Sequence, residues 1–395
     1  MNVLYVDKLC PYPPIDGRSV RVFNLLKQLS RHHQVTLICN SPEEAPPIPM
    51  PITVKCVPFP NAGKQRRLSF FNLFTCQPHH QQFFQTRNLS EAVRKHINGN
   101  AVDIAFVDSV YLAGLIPVLR GRPVIVSEHN FEPQMMLDRS RAQRNPLLKI
   151  LFLLQYVRTL RLQRWAVRQP AASFICVSRH DSEQIKSLNE NANVYIVPNG
   201  VDTKLFAYSK PEKFETVCFL GSLAWAPNVD GLRYFIGMIW PEIKRAKPKA
   251  MLKVVGQDPE GVAKQFVTKD IDFTGKVDDV TPHVKATSIF IVPLRYGGGT
   301  KLKMLEAMAL GRPVVTTAKG AEGIEGIENG INAIIVKGPI NFANSVVQLI
   351  NDTKQAVNIG LRGRQLVEKK YNWNIIGHDL NIIIVLVAGI KEHLK

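Results

Sequence analysis

The chain is short of thiol chemistry. Its six cysteines, at positions 10, 39, 56, 76, 176 and 218, form no C-x-x-C pair. Cys39, Cys176 and Cys218 lie inside apolar runs (VTLICN, SFICVS, VCFLGS), so buried reduced thiols are expected, which fits the cytoplasm. Long apolar runs are also missing: IIIVLVAGI at 382–390 falls far below the ~20 residues needed to span a bilayer. The opening MNVLYVDKLC reads directly as a strand, without the charged-then-apolar layout of a signal peptide. There is no low-complexity tract and no short-period repeat. Metal spacing is lacking among the histidines too, because His79 and His80 are adjacent and no H-x-x-x-H element occurs. Acids are scarce: 32 Asp and Glu stand against 50 Lys and Arg, a net charge of +18 that favours anionic partners.

Apolar residues are plentiful. They make up 45% of 395 residues, enough for packed cores and more than one core usually holds, so two domains are expected. Short β-branched runs alternate with helical patterns: NVLYV, QVTLIC, DIAFVD, PVIVSE, SFICVS and VYIVPN. The rhythm then restarts as TVCFLGS, AMLKVVG, IDFTGK, SIFIVPL, PVVTT and NAIIV. Strands separated by helices make parallel sheets, so the pattern predicts two Rossmann-like α/β layers. The boundary falls in VPNGVDTKLFAYSKPEKFE, rich in turn formers and charge. Residues 134–168 stand apart, with Arg139, Arg141, Arg144, Lys149, Arg158, Arg161, Arg164 and Arg168 against the one acid Asp138, around LLKILFLLQYV. Two readings are open: a surface for anionic lipid, or a domain helix with a solvated basic face.

RYGGGTKLKMLEAMALGRPVV, from Arg295 to Val315, carries the clearest chemistry. Gly297, Gly298 and Gly299 permit positive φ and close backbone approach, between a strand and a helix whose first amides make an anion site. The Walker spacing is absent. Lys301 and Lys303 are expected in the first helical turn, where the helix dipole disfavours cations unless an anion such as a diphosphate binds; solvated surface lysines are the alternative. At ~100° per residue Glu306 shares a side with Leu302, Leu305 and Ala309. A carboxylate there needs either a buried partner such as an arginine or ligand hydroxyls. Gly311 ends the helix and Pro313 opens the next strand.

This segment resembles the donor-binding motif of glycosyltransferase family 4, the retaining GT-B enzymes, in a subgroup with GGGT-[RK]-LK loops. PYPPIDGRSVR, EHNFE at 128–132, VPNGVD at 197–202, FLGSLAWAPNVDGLRYF, VVGQDPE, FTGKVDDV and YNWN at 371–374 follow in family order. The resemblance implies a GT-B fold: two Rossmann-like domains facing each other across a cleft. Residues 1–195 would bind acceptor, 196–370 would bind nucleotide sugar, and a final helix, 371–395, would cross back. Glu306 would hold the ribose. The glycine loop, Thr300 and Lys301 would hold diphosphate and sugar, Gly275 to Val277 would line the base, and Gly17 would bring its loop against the phosphates. His129 matches a histidine near the reacting carbon, and Asn199 lies in a loop at the cleft. Two departures stand out. Gly298 replaces a common glutamate, and Ser222 replaces an arginine in GSLAWAPN, which also has no lysine; Lys301 with Arg295 would take over the phosphate charge.

Among neighbours, Glu128 and Glu132 read as orienting groups for His129, acceptor contacts or structural ion pairs, and Asp108 as a helix N-cap. Trp225 and Tyr234 could stack on a base or sugar, with core packing the default for Tyr234. The expectation is therefore a cytoplasmic, metal-independent glycosyltransferase without cofactor, peripheral on the inner face of the membrane if 134–168 docks there. It would move sugar from a UDP- or GDP-sugar to a saccharide or lipid-linked acceptor with retention, in polysaccharide or glycolipid assembly. A degenerate sugar-nucleotide-binding scaffold and a GT-B-like epimerase are the rivals. Nucleic acid is not an expected partner, because the basic cluster lacks interleaved aromatics.

Overall fold

The computed structural model describes residues 1–41, 47–59, 77–143, 145–211, 215–258 and 260–389. Cys76, Arg144, Pro259 and Ile390 lie outside the described residues. The chain divides into two compact units, Met1–Pro198 with Ile376–Lys395, and Asn199–Ile375.

The first unit is built on strands β1 (Asn2–Asp7), β2 (Gln34–Ser41), β3 (Thr53–Pro58), β4 (Ile104–Asp108), β5 (Val124–Glu128), β6 (Ala172–Cys176) and β7 (Asn193–Ile196). All pair in parallel, in the order β3-β2-β1-β4-β5-β6-β7. The central strands are buried along their whole length, which explains their unbroken apolar runs. The edge strand β3 was not expected from the sequence. Its TVKCVP carries Lys55 and leaves alternate residues exposed, so it lacks that signature. The core gathers Leu4, Ile38, Val107, Val126 and Phe174. The helix Gly17–Leu29 starts from a capping box formed by Asp16 and Ser19. Its buried Arg21 donates to the Val197 and Pro198 carbonyls at 2.8 and 2.9 Å, fixing the chain that leaves β7.

The second unit repeats the plan with β8 (Thr216–Leu220), β9 (Met251–Val255), β10 (Ile271–Phe273), β11 (Ile289–Val292), β12 (Val314–Thr317) and β13 (Ile334–Val336), ordered β10-β9-β8-β11-β12-β13. In each sheet the order reverses beside the first strand, between β1 and β4 and between β8 and β11. Open α/β sheets bind ligands at the carboxyl ends of strands at such a point.

The last helix, Trp373–Val387, belongs to the first unit from Ile376 onward. There Gly377 lies against Gln28, and the His33 ring is 2.7 Å from Asn381 Oδ1.

Candidate functional site

In the first unit two acids end the strands that flank the reversal. Asp7, the last residue of β1, is fully buried and takes Arg18 Nη1 on both carboxylate oxygens, at 2.9 and 2.7 Å. Burial pushes its pKa up to about 7 against the pull of Arg18. Asp108 ends β4 and accepts from His129 Nε2 at 2.9 and 3.1 Å and from the Tyr5 hydroxyl at 3.2 Å. Burial opposes its ionisation, yet His129, Lys8 and Arg18 together hold it below the ordinary carboxylate range. With Asp108 ionised, the His129 proton sits on Nε2. Nδ1 then remains an acceptor, with no hydrogen bond among the described residues. Burial lowers the His129 pKa and favours that neutral ring.

Asp108 is therefore not the expected N-cap. Ser109, at φ 82°, caps the 3-10 helix Val110–Leu119, while Asp108 orients His129. The sequence signal for it was available: an acid closing a strand that is otherwise wholly apolar. Gly17 is the first residue of its helix, next to Arg18, so it shares this end of the sheet. Glu128 is buried, accepts from Gln163 Nε2 at 3.2 Å, and burial raises its pKa to about 8.

In the second unit the loop after β11 and the loop after β8 meet. Gly297 and Gly299 have φ of 115° and 66°, a conformation that other residues rarely adopt. A side chain at Gly297 would press on the Trp225 ring, 3.2 Å from an added Cβ. Thr300 Oγ1 donates to the Gly323 carbonyl at 3.1 Å, and Asn199 Nδ2 reaches the Thr300 carbonyl at 3.5 Å, so the PNGVD loop braces the glycine loop. Ser222 Oγ accepts from Gln257 Nε2 at 3.0 Å. Gly275, at φ 68°, accepts on its carbonyl from the Gly256 amide at 3.2 Å, and the half-buried Val277 packs on the local core.

Two cations, Lys301 and Arg295, depart from expectation, while Lys303 lies in the first helical turn as expected. Lys301 precedes the helix, which runs from Leu302 to Ala309, instead of lying in its first turn; its Nζ turns back to the Gly298 and Gly299 carbonyls at 2.9 and 2.5 Å. Lys303 is not a solvated surface lysine. Its Nζ donates to Asn228 Oδ1 at 2.6 Å and lies 4.8 Å from the centre of the Phe219 ring. Arg295 is engaged by its own neighbours, forming an ion pair with Asp230 and lying over the half-buried Tyr234 ring at 5.1 Å.

Among the described residues the Glu306 carboxylate has no arginine partner and makes no hydrogen bond or ion pair; its backbone carbonyl accepts from the Leu310 amide at 3.0 Å. Its surroundings are desolvated enough to raise its pKa to about 7, with Lys303 pulling the other way, yet the side chain stays half-buried and reachable. Among the described residues no group of three or more His, Cys, Asp or Glu could hold a metal ion.

Two Rossmann-like units with strand orders of this kind define the GT-B class of α/β protein. Residues 15–205 match the model described as Glycosyltransferase Family 4, and residues 215–352 match Glycosyl transferases group 1. The chain thus carries the two domains of a GT4-type glycosyltransferase. Among solved structures it resembles sucrose-phosphate synthase from Thermosynechococcus elongatus, with TM-score 0.75, 16% identity, and coverage of 98% of this chain and 99% of that one. It also resembles Anabaena HepE in complex with UDP-glucose, at TM-score 0.67 and 14% identity, over 98% and 100% of the two chains. Among curated relatives it is 27% identical over 212 residues to the GDP-mannose-dependent monoacylated alpha-(1-6)-phosphatidylinositol monomannoside mannosyltransferase of Corynebacterium glutamicum, 48% of this chain and 55% of that protein. The matches span about half the length of such curated relatives.

Proposed function

We propose that the protein is a retaining, metal-independent glycosyltransferase that moves a sugar from a UDP- or GDP-sugar to a saccharide or lipid-linked acceptor in polysaccharide or glycolipid assembly. Glu306 carries the reading. A half-buried carboxylate, without a hydrogen-bond partner among the described residues, stands one turn beyond a glycine loop held at positive φ. Paired ribose hydroxyls would satisfy both carboxylate oxygens, as a buried charge requires. The amides of Gly297–Gly299 and Thr300, with a lysine at the start of the helix, meet the diphosphate. Leaving-group charge is then stabilised by fixed dipoles and ammonium groups. Gly275 and Val277 line the base, Ser222, Asn199 and Trp225 frame the loop, and Gly17 belongs to the phosphate side. Arg295, engaged by Asp230, stabilises the outer face of the loop. His129, with Nδ1 open as an acceptor and Asp108 behind it, serves the reacting sugar.

A donor panel tests this directly. The wild type is expected to bind a UDP- or GDP-sugar and, with lipid-linked or saccharide acceptors, to release the free diphosphate. Binding without release in any acceptor mixture would favour a scaffold, and interconversion of the sugar without acceptor would favour an epimerase. Glu306→Ala should weaken nucleotide-sugar binding about a hundredfold or more while the thermal melt stays close to wild type. Unchanged affinity removes Glu306 from the site.

The membrane reading also gains support. On the helix Pro146–Ala166 and the turn after it, one exposed stripe runs Leu147, Ile150, Leu154, Val157, Arg161, Arg164, Arg168, with Leu148, Lys149, Leu153 and Trp165 exposed beside it. Leu147 is 75% exposed and Ile150 57%. An apolar half followed by a cationic half suits insertion below anionic headgroups better than a solvated basic face. No helix among the described residues is long and apolar enough to cross a membrane.

A further inference from the structure

We infer that Lys303, held by Asn228, rather than Lys301, is the cation that meets the donor's diphosphate. The inference rests on the nucleotide-sugar reading above and assigns a role within that site. Lys301 has its ammonium on two carbonyls of the glycine loop, so it acts as a pin for Gly298 and Gly299. Arg295 is committed to Asp230, and GSLAWAPN after β8 contains no Lys or Arg.

Lys303 is differently placed. An ammonium offers three donors, and among the described residues Nζ finds one acceptor, Asn228 Oδ1. Asn228 is itself fixed, because Nδ2 donates to the Ser222 carbonyl at 2.9 Å and its side chain lies flat against Gly221. The ammonium is thereby held at the carboxyl end of β8, where the order of the second sheet reverses. Lys303 belongs to the helix that directly follows the glycine loop. The groups around it are Lys301, Glu306 and the Cys218 thiol on β8. None of them pairs with it. Burial, then Lys301, lowers its pKa to about 7, against the opposing pull of Glu306, which is the state of a cation lacking its anion. A diphosphate oxygen would fill the two unmatched donor positions and restore the charge.

The test is calorimetric titration of the wild type, Lys303→Met, Lys303→Arg and Asn228→Ser with UDP and GDP, and with uridine and guanosine. Lys303→Met keeps the stem over Phe219, and is expected to bind the diphosphate about ten- to a hundredfold more weakly while binding the nucleoside as wild type does. Lys303→Arg should retain affinity within a few-fold. Asn228→Ser leaves Lys303 in place but releases its ammonium, so it should show the same phosphate-selective loss and keeps the test open if Lys303→Met does not fold. Equal diphosphate affinity in wild type and Lys303→Met, or an equal loss of nucleoside and diphosphate, overturns the inference while the donor-site reading stands. A folded wild type that binds neither UDP nor GDP overturns the reading itself.

Discussion

Single side chains with missing partners say most about this protein. Among the described residues the Glu306 carboxylate has no hydrogen-bond partner, and Lys303 has a neutral acceptor but no counter-ion. Glu128 is only half satisfied inside the first unit. Among the described residues its Oε2 has no hydrogen-bond partner, and neither has Oε1 of Gln163, whose amide already donates to Glu128 Oε1. A proton on Oε2 would supply the donor that these two acceptor oxygens lack, in keeping with a pKa moved by burial from the usual 4.5 to about 8. Between those values the folded state holds a proton that the unfolded state has released, so stability falls as pH rises through that window and levels off above it. Glu128→Gln supplies the donor permanently. It should flatten this dependence and stabilise the protein by about 1–3 kcal/mol above pH about 8, measured by denaturant unfolding across pH; a variant with unchanged pH dependence would exclude the protonated pair. Residue types were legible from the sequence here, but partners were not. EHNFE pointed to His129, while the Asp108 beneath it lies 21 positions away in sequence and meets it only because β4 and β5 are neighbours.

Among the elements, the helix Leu302–Ala309 is the one on which the donor reading depends, and its far end is held by the helix Thr353–Lys370. Arg364 donates to the Ala309 carbonyl at 2.5 Å and to the Phe206 and Thr203 carbonyls at 2.6 and 3.0 Å, satisfying a helix end that would otherwise lack partners. Nearby, Gly360 allows backbone contact, since a Cβ there would stand 2.1 Å from the Gly311 carbonyl oxygen. Gly360→Ala should cost about 1–3 kcal/mol by forcing the two segments apart, read as a lowered thermal midpoint, and should weaken donor binding as Glu306 shifts. A wild-type melt for this variant would mean the helices can separate without strain. Elements of this kind were readable in part. Every run expected to be a strand is one, and Gly311 closes its helix as foreseen with φ 75°. The start of that helix was misplaced because Lys301 turns back to the loop carbonyls, an interaction that periodicity does not encode.

For the whole molecule, charge and exposed apolar surface act together. A net +18 draws the protein to any anionic surface, and the stripe from Leu147 to Val157 gives that attraction an apolar anchor. Binding to vesicles should require anionic lipid, fade as salt rises from 0.05 to 0.5 M (on the order of the range over which the screening length contracts severalfold), and be lost in Leu147→Glu/Ile150→Glu/Leu154→Glu. Equal binding to neutral vesicles would refute the electrostatic part. Salt-independent self-association removed by the same triple variant would assign the stripe to a second copy instead.

The sequence by itself determined two parallel α/β layers, because buried parallel strands need continuous apolar runs and glycine-rich turns leave a local mark. It also marked the glycine loop and its glutamate, since both are local in the chain. Only the tertiary structure decided which charges were already neutralised. Arg295 to Asp230, Arg18 to Asp7 and His129 to Asp108 are settled pairs, while Lys303 and Glu306 have no charged hydrogen-bond partner among the described residues. The reason is physical: whether a buried charge has a partner depends on which strands and helices lie side by side, and that is set by packing across the fold.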